Sequence, residues 1–177
     1  IDDRPAPDGY RTLSRIIPGR RIIVENSLDA LDATWNGVHL SLAGEDVSRE
    51  EWNAVCRVAS LKWLDLSAAR LPDDWHQDLP GLENLRVLSL AGREITGETL
   101  EQVARLPALQ KLVLNGTDVS GILQPIAGLT QLEDLYLSRS SVTDDDLQVL
   151  AELTNLERLS LNETAITDRA APVLGEL

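Results

Sequence analysis

The chain has 177 residues and a formal net charge of −13. That size fits one domain with at most a small cap, and that charge argues against nonspecific binding to nucleic acid or an anionic membrane. The single cysteine, Cys56, excludes an internal disulfide or a thiol pair for metal or redox work, and no apolar run reaches the length of a membrane span. A chain that opens on Ile1 and contains no methionine is expected to be a processed product or an excised fragment. Residues 1–9 hold two prolines, a glycine and three aspartates and read as a poorly ordered tail. TLSRII and RRIIVEN flank the turn dipeptide Pro18-Gly19, which predicts a hairpin or two short strands. SLDALDATW, Ser27 to Trp35, predicts a short capped helix with Leu28, Leu31 and Trp35 on one side. Residues 1–36 are therefore read as a tail and an N-terminal cap, whose arginines Arg11, Arg15, Arg20 and Arg21 would guard a strand edge.

From Gly37 onward the chain repeats itself. GVHLSLAGEDV is followed by LKWLDLSAARL at Leu61 and LRVLSLAGREI at Leu85. LQKLVLNGTDV at Leu109, LEDLYLSRSSV at Leu132 and LERLSLNETAI at Leu156 complete the set. After Leu61 the starts are 24, 24, 23 and 24 residues apart. In LSL (88 to 90) or LYL (135 to 137) the apolar residues alternate, so they share one face of a short strand. Ser48, Thr96, Ser120, Thr143 and Thr167 follow at one offset, each able to cap a helix, and Ser48-Arg49-Glu50-Glu51 has capping-box spacing. The sets Trp52, Val55, Val58; Leu100, Val103, Leu106; and Leu147, Leu150, Leu153 have the helical spacing of an inward face. Pro72 and Pro80 limit the second outer segment to one or two turns, and Gly121, Pro125 and Gly128 predict a tight or 3₁₀ segment in the fourth. The ninth position of each unit holds Glu45, Ala69, Arg93, Thr117, Ser140 and Thr164. Charged Glu45 and Arg93 argue against a regular inward polar ladder in the first half.

The pattern L-x-x-L-x-L-x-x-x-x-[LIV] at this period resembles leucine-rich repeats, from about Gly37 to the last residue. AITDRAAPVL and SVTDDDLQVL are most similar to the short bacterial type. The resemblance implies an α/β fold: a right-handed solenoid with a curved parallel sheet on its concave side and short helices on its convex side. About six repeats over residues 37–177 would form it, with Leu159, Leu161 and Leu174 either at an exposed end or covered by further repeats. It also implies a noncatalytic protein-binding scaffold, the alternative being a spacer within a larger enzyme or membrane-anchored protein.

In such a sheet the outward strand positions form rows. One is His39, Trp63, Val87, Lys111, Asp134, Arg158; its neighbour is Ser41, Asp65, Ser89, Val113, Tyr136, Ser160. With strands about 4.8 Å apart, row neighbours touch. Trp63, Val87, Val113 and Tyr136 then make an apolar stripe on a face expected to be wet, the composition of a binding hot spot. The candidate partner-binding residues are these four with His39, Asp65, Lys111, Asp134, Arg139 and Arg158, and the partner is a protein or peptide. The face and its flanks carry Lys62, Arg86, Lys111, Arg139 and Arg158 against Asp65, Glu133, Asp134, Glu157 and Glu163, a balanced set whose basic members lean toward the early repeats and acidic ones toward the late. That split would orient a complementary partner; the alternative is that the charges are spent in weak cross-strand pairs.

Three other chemistries are weighed and set aside. His39, Ser41 and Asp65 are the residue types of a hydrolase triad, but on regular strands they point in parallel, without oxyanion donors. Asp144, Asp145 and Asp146 could suggest calcium; acids in a first helical turn equally complement the helix dipole. Arg86, Lys111 and Arg158 lack the density of a nucleic-acid surface. Cys56 aligns with Ala104 and Ala151, where a small side chain fits between helices, and reads as buried and inert. No cofactor is expected.

Overall fold

The computed structural model describes residues 11–12, 23–24 and 38–175. Two short strands, β1 (Arg11–Thr12) and β2 (Ile23–Val24), pair antiparallel, the arrangement predicted for the segments flanking Pro18-Gly19. That dipeptide, the tail and the helix expected over Ser27 to Trp35 lie outside the described residues.

Each repeat then contributes one strand to a single parallel sheet. The strands are β3 (Val38–Ser41), β4 (Leu61–Asp65), β5 (Val87–Ser89), β6 (Lys111–Val113), β7 (Asp134–Tyr136) and β8 (Arg158–Ser160), adjacent in chain order. Equivalent leucines stand in register: Leu40 beside Leu64, then Leu88, Leu112 and Leu135. All five are fully buried, because alternation sends them to one side while their neighbours face the other. At about 1.5–3 kcal/mol for each fully buried leucine, stacking supplies what no single coil could.

A corner recurs after every strand. Gly44, Gly92 and Gly116 adopt positive φ there, and so do Ala68, Arg139 and Glu163 at the same offset. The chain must turn left-handed at this point in each coil, a conformation glycine adopts freely and other residues adopt under strain. Just beyond it, Thr117, Ser140 and Thr164 donate their hydroxyls to the carbonyls of Leu114, Leu137 and Leu161 at 2.6, 2.6 and 2.7 Å. The inward polar ladder therefore exists in the second half alone. In the first half Glu45 is exposed, and Arg93 donates to the Ala69 carbonyl and lays its guanidinium 4.8 Å from the Trp75 ring centre.

The outer segments differ from one another. Helix α1 (Arg49–Cys56) carries the capping box expected of Ser48 and Glu51, with Ser48 N donating to the Glu51 carboxylate at 2.8 Å. Helix α2 (Gly97–Val103) is capped by Thr96. Trp75–Gly81 and Gln124–Gly128 are 3₁₀ segments, in keeping with their prolines. Asp146–Glu152 is also 3₁₀, which corrects the α-helical reading of Leu147, Leu150 and Leu153. The Asp146 carboxylate takes the Thr143 N–H at 2.9 Å. Asp146 N in turn bonds the Thr143 carbonyl three residues back, at 3.1 Å, the 3₁₀ pattern. Thr143 and Ser120 cap nothing; Ser120 N instead donates to Ser141 of the next coil. Thr167 caps a 3₁₀ turn, Asp168–Ala170, that leads into α3 (Ala171–Leu174). In this last coil Leu156, Leu159, Leu161 and Ile166 are only half-buried, and Leu174 is 37 % exposed.

Candidate functional site

Side chains opposite the leucines form the two predicted rows. Trp63 pairs with Val87, Val87 with Lys111, Lys111 with Asp134 and Asp134 with Arg158. In the neighbouring row, Asp65, Ser89, Val113, Tyr136 and Ser160 are likewise in register. The rows are assembled by the near-constant repeat length, and the coil from Leu109, one residue short, absorbs the difference outside its strand, since Lys111 still pairs with Asp134.

Their exposure is uneven. Trp63, Asp65, Lys111, Val113 and Tyr136 are half-buried, while Arg139 and Arg158 are exposed. Val87 is only 4 % exposed, His39 7 % and Asp134 6 %, so the face is less wet than the alternation implies. Val87 lies between the larger Trp63 and Lys111 in its row, and His39 sits against Trp63 with ring centres 6.0 Å apart. These three support the surface from beneath. The apolar stripe that remains is Trp63, Val113 and Tyr136.

The charges of the central row are spent on one another. Asp134 takes a forked pair of hydrogen bonds from Arg158, 2.5 and 3.1 Å, and lies 3.6 Å from the Lys111 ammonium. Lys111 also stands 4.5 Å from the Tyr136 ring centre, close enough for cation–π attraction. The hydrogen bonds from Arg158 go to a carboxylate, and this holds its guanidinium above the usual arginine range. One step along, Arg139 makes a second forked pair with Glu163, 3.0 and 2.9 Å, which holds the Glu163 carboxyl below its ordinary value. Cross-strand pairing thus accounts for this part of the face.

The residues of the hypothetical triad meet but do not form one. Ser41 directs its only proton to the Asp65 carboxylate at 3.1 Å, and the same carboxylate accepts from Ser67 N at 2.9 Å and Ser67 Oγ at 2.5 Å. A serine bonded directly to the carboxylate lacks the intervening imidazole that takes its proton in a triad. The aspartates of the fifth coil are staples between coils. Asp144 takes Thr167 N and Oγ1 at 2.8 and 2.6 Å, which lowers its carboxyl pKa, and Asp146 takes Gly121 N at 2.7 Å. Among the described residues, no three His, Cys, Asp or Glu side chains are grouped to hold a metal. The Cys56 thiol is pushed up to about 12, chiefly by burial and then by the nearby Asp78 carboxylate, and is inert as a nucleophile at neutral pH.

Two features escaped the sequence reading. On the helix side, Trp52 Nε1 donates to the Trp75 carbonyl at 3.1 Å and to Asp78 at 3.0 Å, and the two indoles meet edge to face. Arg49 bridges Asp74 and Asp78 beside them. LPDDWHQDLP signals this cluster only as a broken helix. At the opposite edge, the residue before the first leucine reaches back one coil. Asn84 donates to the Ala59 carbonyl at 2.9 Å, Gln131 to Leu106 at 3.1 Å and Asn155 to Thr130 at 2.6 Å. The recurring Asn-Leu and Gln-Leu pairs were the available signal.

No protein-family model matches the chain, and no curated protein does. Among solved structures it is similar to an internalin from Listeria monocytogenes, at 18 % identity and a TM-score of 0.33. The match covers 70 % of this chain and 48 % of that one, so the chain spans about half of the structure it resembles.

Proposed function

We propose that this chain is a noncatalytic protein-interaction module, a right-handed solenoid of short bacterial-type leucine-rich repeats, with residues 1–36 as its cap. Its partner is a protein or peptide that lies on the concave, strand-lined face. The observation that carries this reading is the half-exposed trio Trp63, Val113 and Tyr136 on a face otherwise tied up in polar pairs. Aromatic side chains flanked by charge supply large contact area at low conformational cost, and such residues dominate binding energy where they occur. Lys111 and Asp65 frame the trio, and Arg139 and Arg158 form its polar rim.

The test is capture of partners from the source cell with the chain as bait. Trp63→Ala and Tyr136→Ala should each cut recovery by about tenfold or more, since truncating a hot spot costs about 2 kcal/mol or more. Circular dichroism should show both variants folded, because neither side chain belongs to the leucine core. Retention of the full partner set by both variants would refute this placement.

A further inference from the structure

An open groove of about 800 Å³ lies between the second and third coils, where each leaves its corner for the outer segment. None of the concave-row residues lines it. Its central charge is Arg93, at the position where later coils place Thr117, Ser140 and Thr164. Those hydroxyls bond a carbonyl of their own coil. Arg93 instead reaches back one coil, where Nη1 donates to the Ala69 carbonyl and the guanidinium rests 4.8 Å from the Trp75 ring centre.

These contacts leave the cation short of partners. Nη1 is the one side-chain nitrogen of Arg93 with an acceptor, and Nε is buried without any. Among the described residues no carboxylate pairs with Arg93, and burial draws its guanidinium below the usual arginine range. Attraction to the indole offsets part of the lost hydration. It does nothing for the in-plane N–H groups, which are costly to remove from water without an acceptor. A second nitrogen without a hydrogen bond, His76 Nε2, belongs to the same groove and lies 3.9 Å from the Glu98 carboxylate. Leu71 and Pro72 add a half-buried apolar wall, and Asp73, Glu94 and Glu98 line the groove from exposed positions.

We propose that this groove binds an organic monocarboxylate. Its oxygens take the in-plane N–H groups that Arg93 leaves without acceptors, and its apolar body lies along Leu71 and Pro72. A guanidinium and a carboxylate match in planarity as well as charge, so the pair is directional and strong where water is scarce. The exposed acids set the ligand's charge: one carboxylate answers one arginine, whereas a dianion such as phosphate meets repulsion that grows with its charge. The groove's volume suits a small ligand or the end of a chain. A free small acid and the C-terminal carboxylate of a peptide present the same chemistry to it. The site is separate from the concave face and does not depend on the binding proposed there.

The test is an NMR titration of the whole isotope-labelled chain, following the Arg93 Nε–H and the amides of Gly92 and Glu94. Isovalerate supplies the free acid, N-acetylleucine the peptide terminus, N-acetylleucinamide a similar body without the charge, and phosphate the dianion. One or both carboxylates should shift these signals saturably and bind at least about tenfold tighter than the amide or phosphate. The tighter of the two carboxylates identifies the source. Arg93→Gln should abolish the shifts, with the amides of β6 and β7 reporting an intact fold. If that variant does not fold, Arg93→Lys keeps the cation and loses the planar donors, and should weaken binding at least about fivefold. Saturation by neither acid, equal binding of the amide or of phosphate, or full binding by the folded variant overturns the proposal.

Discussion

Ala68, Arg139 and Glu163 occupy the same left-handed corner that Gly44, Gly92 and Gly116 occupy in other coils. At Ala68 the strain has no compensating ion pair, so Ala68→Gly should raise stability. A left-handed residue with a Cβ costs about 1–2 kcal/mol and glycine's extra freedom in the unfolded chain returns about 0.5–1 kcal/mol of that. The net gain, up to about 1.5 kcal/mol, is measurable by urea unfolding. Acid should reveal another residue-scale effect. Asp144 and Glu163 are held below their ordinary values of 3.8 and 4.5, chiefly by hydrogen bonds from Thr167 and Arg139. For a depressed carboxyl, the stabilisation is complete above the ordinary value and is lost as pH falls through the native one. NMR titration should find both carboxyls protonating below those values, and Thr167→Val should move Asp144 back toward 3.8. Some of this was legible: the capping box at Ser48 follows from spacing alone. Cross-strand pairing of opposite charges, which the Asp134 fork realises, was legible too; the burial of His39 and Val87 was not, because it depends on the size of side chains 24 residues away.

Among the elements, the strands could be read and the outer segments only partly. Alternating leucines specify a strand and its inner face whatever surrounds them. The i, i+3 spacing of Leu147, Leu150 and Leu153 is shared by α and 3₁₀ segments, so spacing alone does not choose between them. Prolines made the other two 3₁₀ segments easier to foresee. Trp52 shows what holds these segments to one another. It is 0 % exposed and bonds two groups of the next coil. Trp52→Ala should destabilise the fold by about 3–5 kcal/mol, the range for emptying an aromatic core site. Trp52→Phe should fill most of the space yet leave the Trp75 carbonyl and Asp78 without their donor, for a smaller loss of about 1–3 kcal/mol. Denaturant titration of the two variants separates packing from hydrogen bonding.

Across the whole molecule, each coil touches mainly its neighbours, so stability is close to a sum over coils and their interfaces. Burial falls toward the sixth: Leu112 is fully buried, its equivalent Leu159 only half-buried. Leu112→Ala should cost about 2–5 kcal/mol and Leu159→Ala distinctly less. Hydrogen exchange should find amides of β8 opening before those of β6. The register of all six strands was legible because one repeat length sets it. What the face presents was less so, since exposure is decided by which neighbours happen to be large.

The backward clasps from Asn84, Gln131 and Asn155 bind three of the coils to the one before, each to a backbone carbonyl that any coil possesses. A tandem copy of residues 84–107 would bring its own Asn84 clasp, its own corner and its own leucine teeth to the coil before it. Such a chain grows by duplication of a gene segment, with no new interface to invent. Its reach is then a matter of copy number, and each extra rung widens the stage for a partner by one strand.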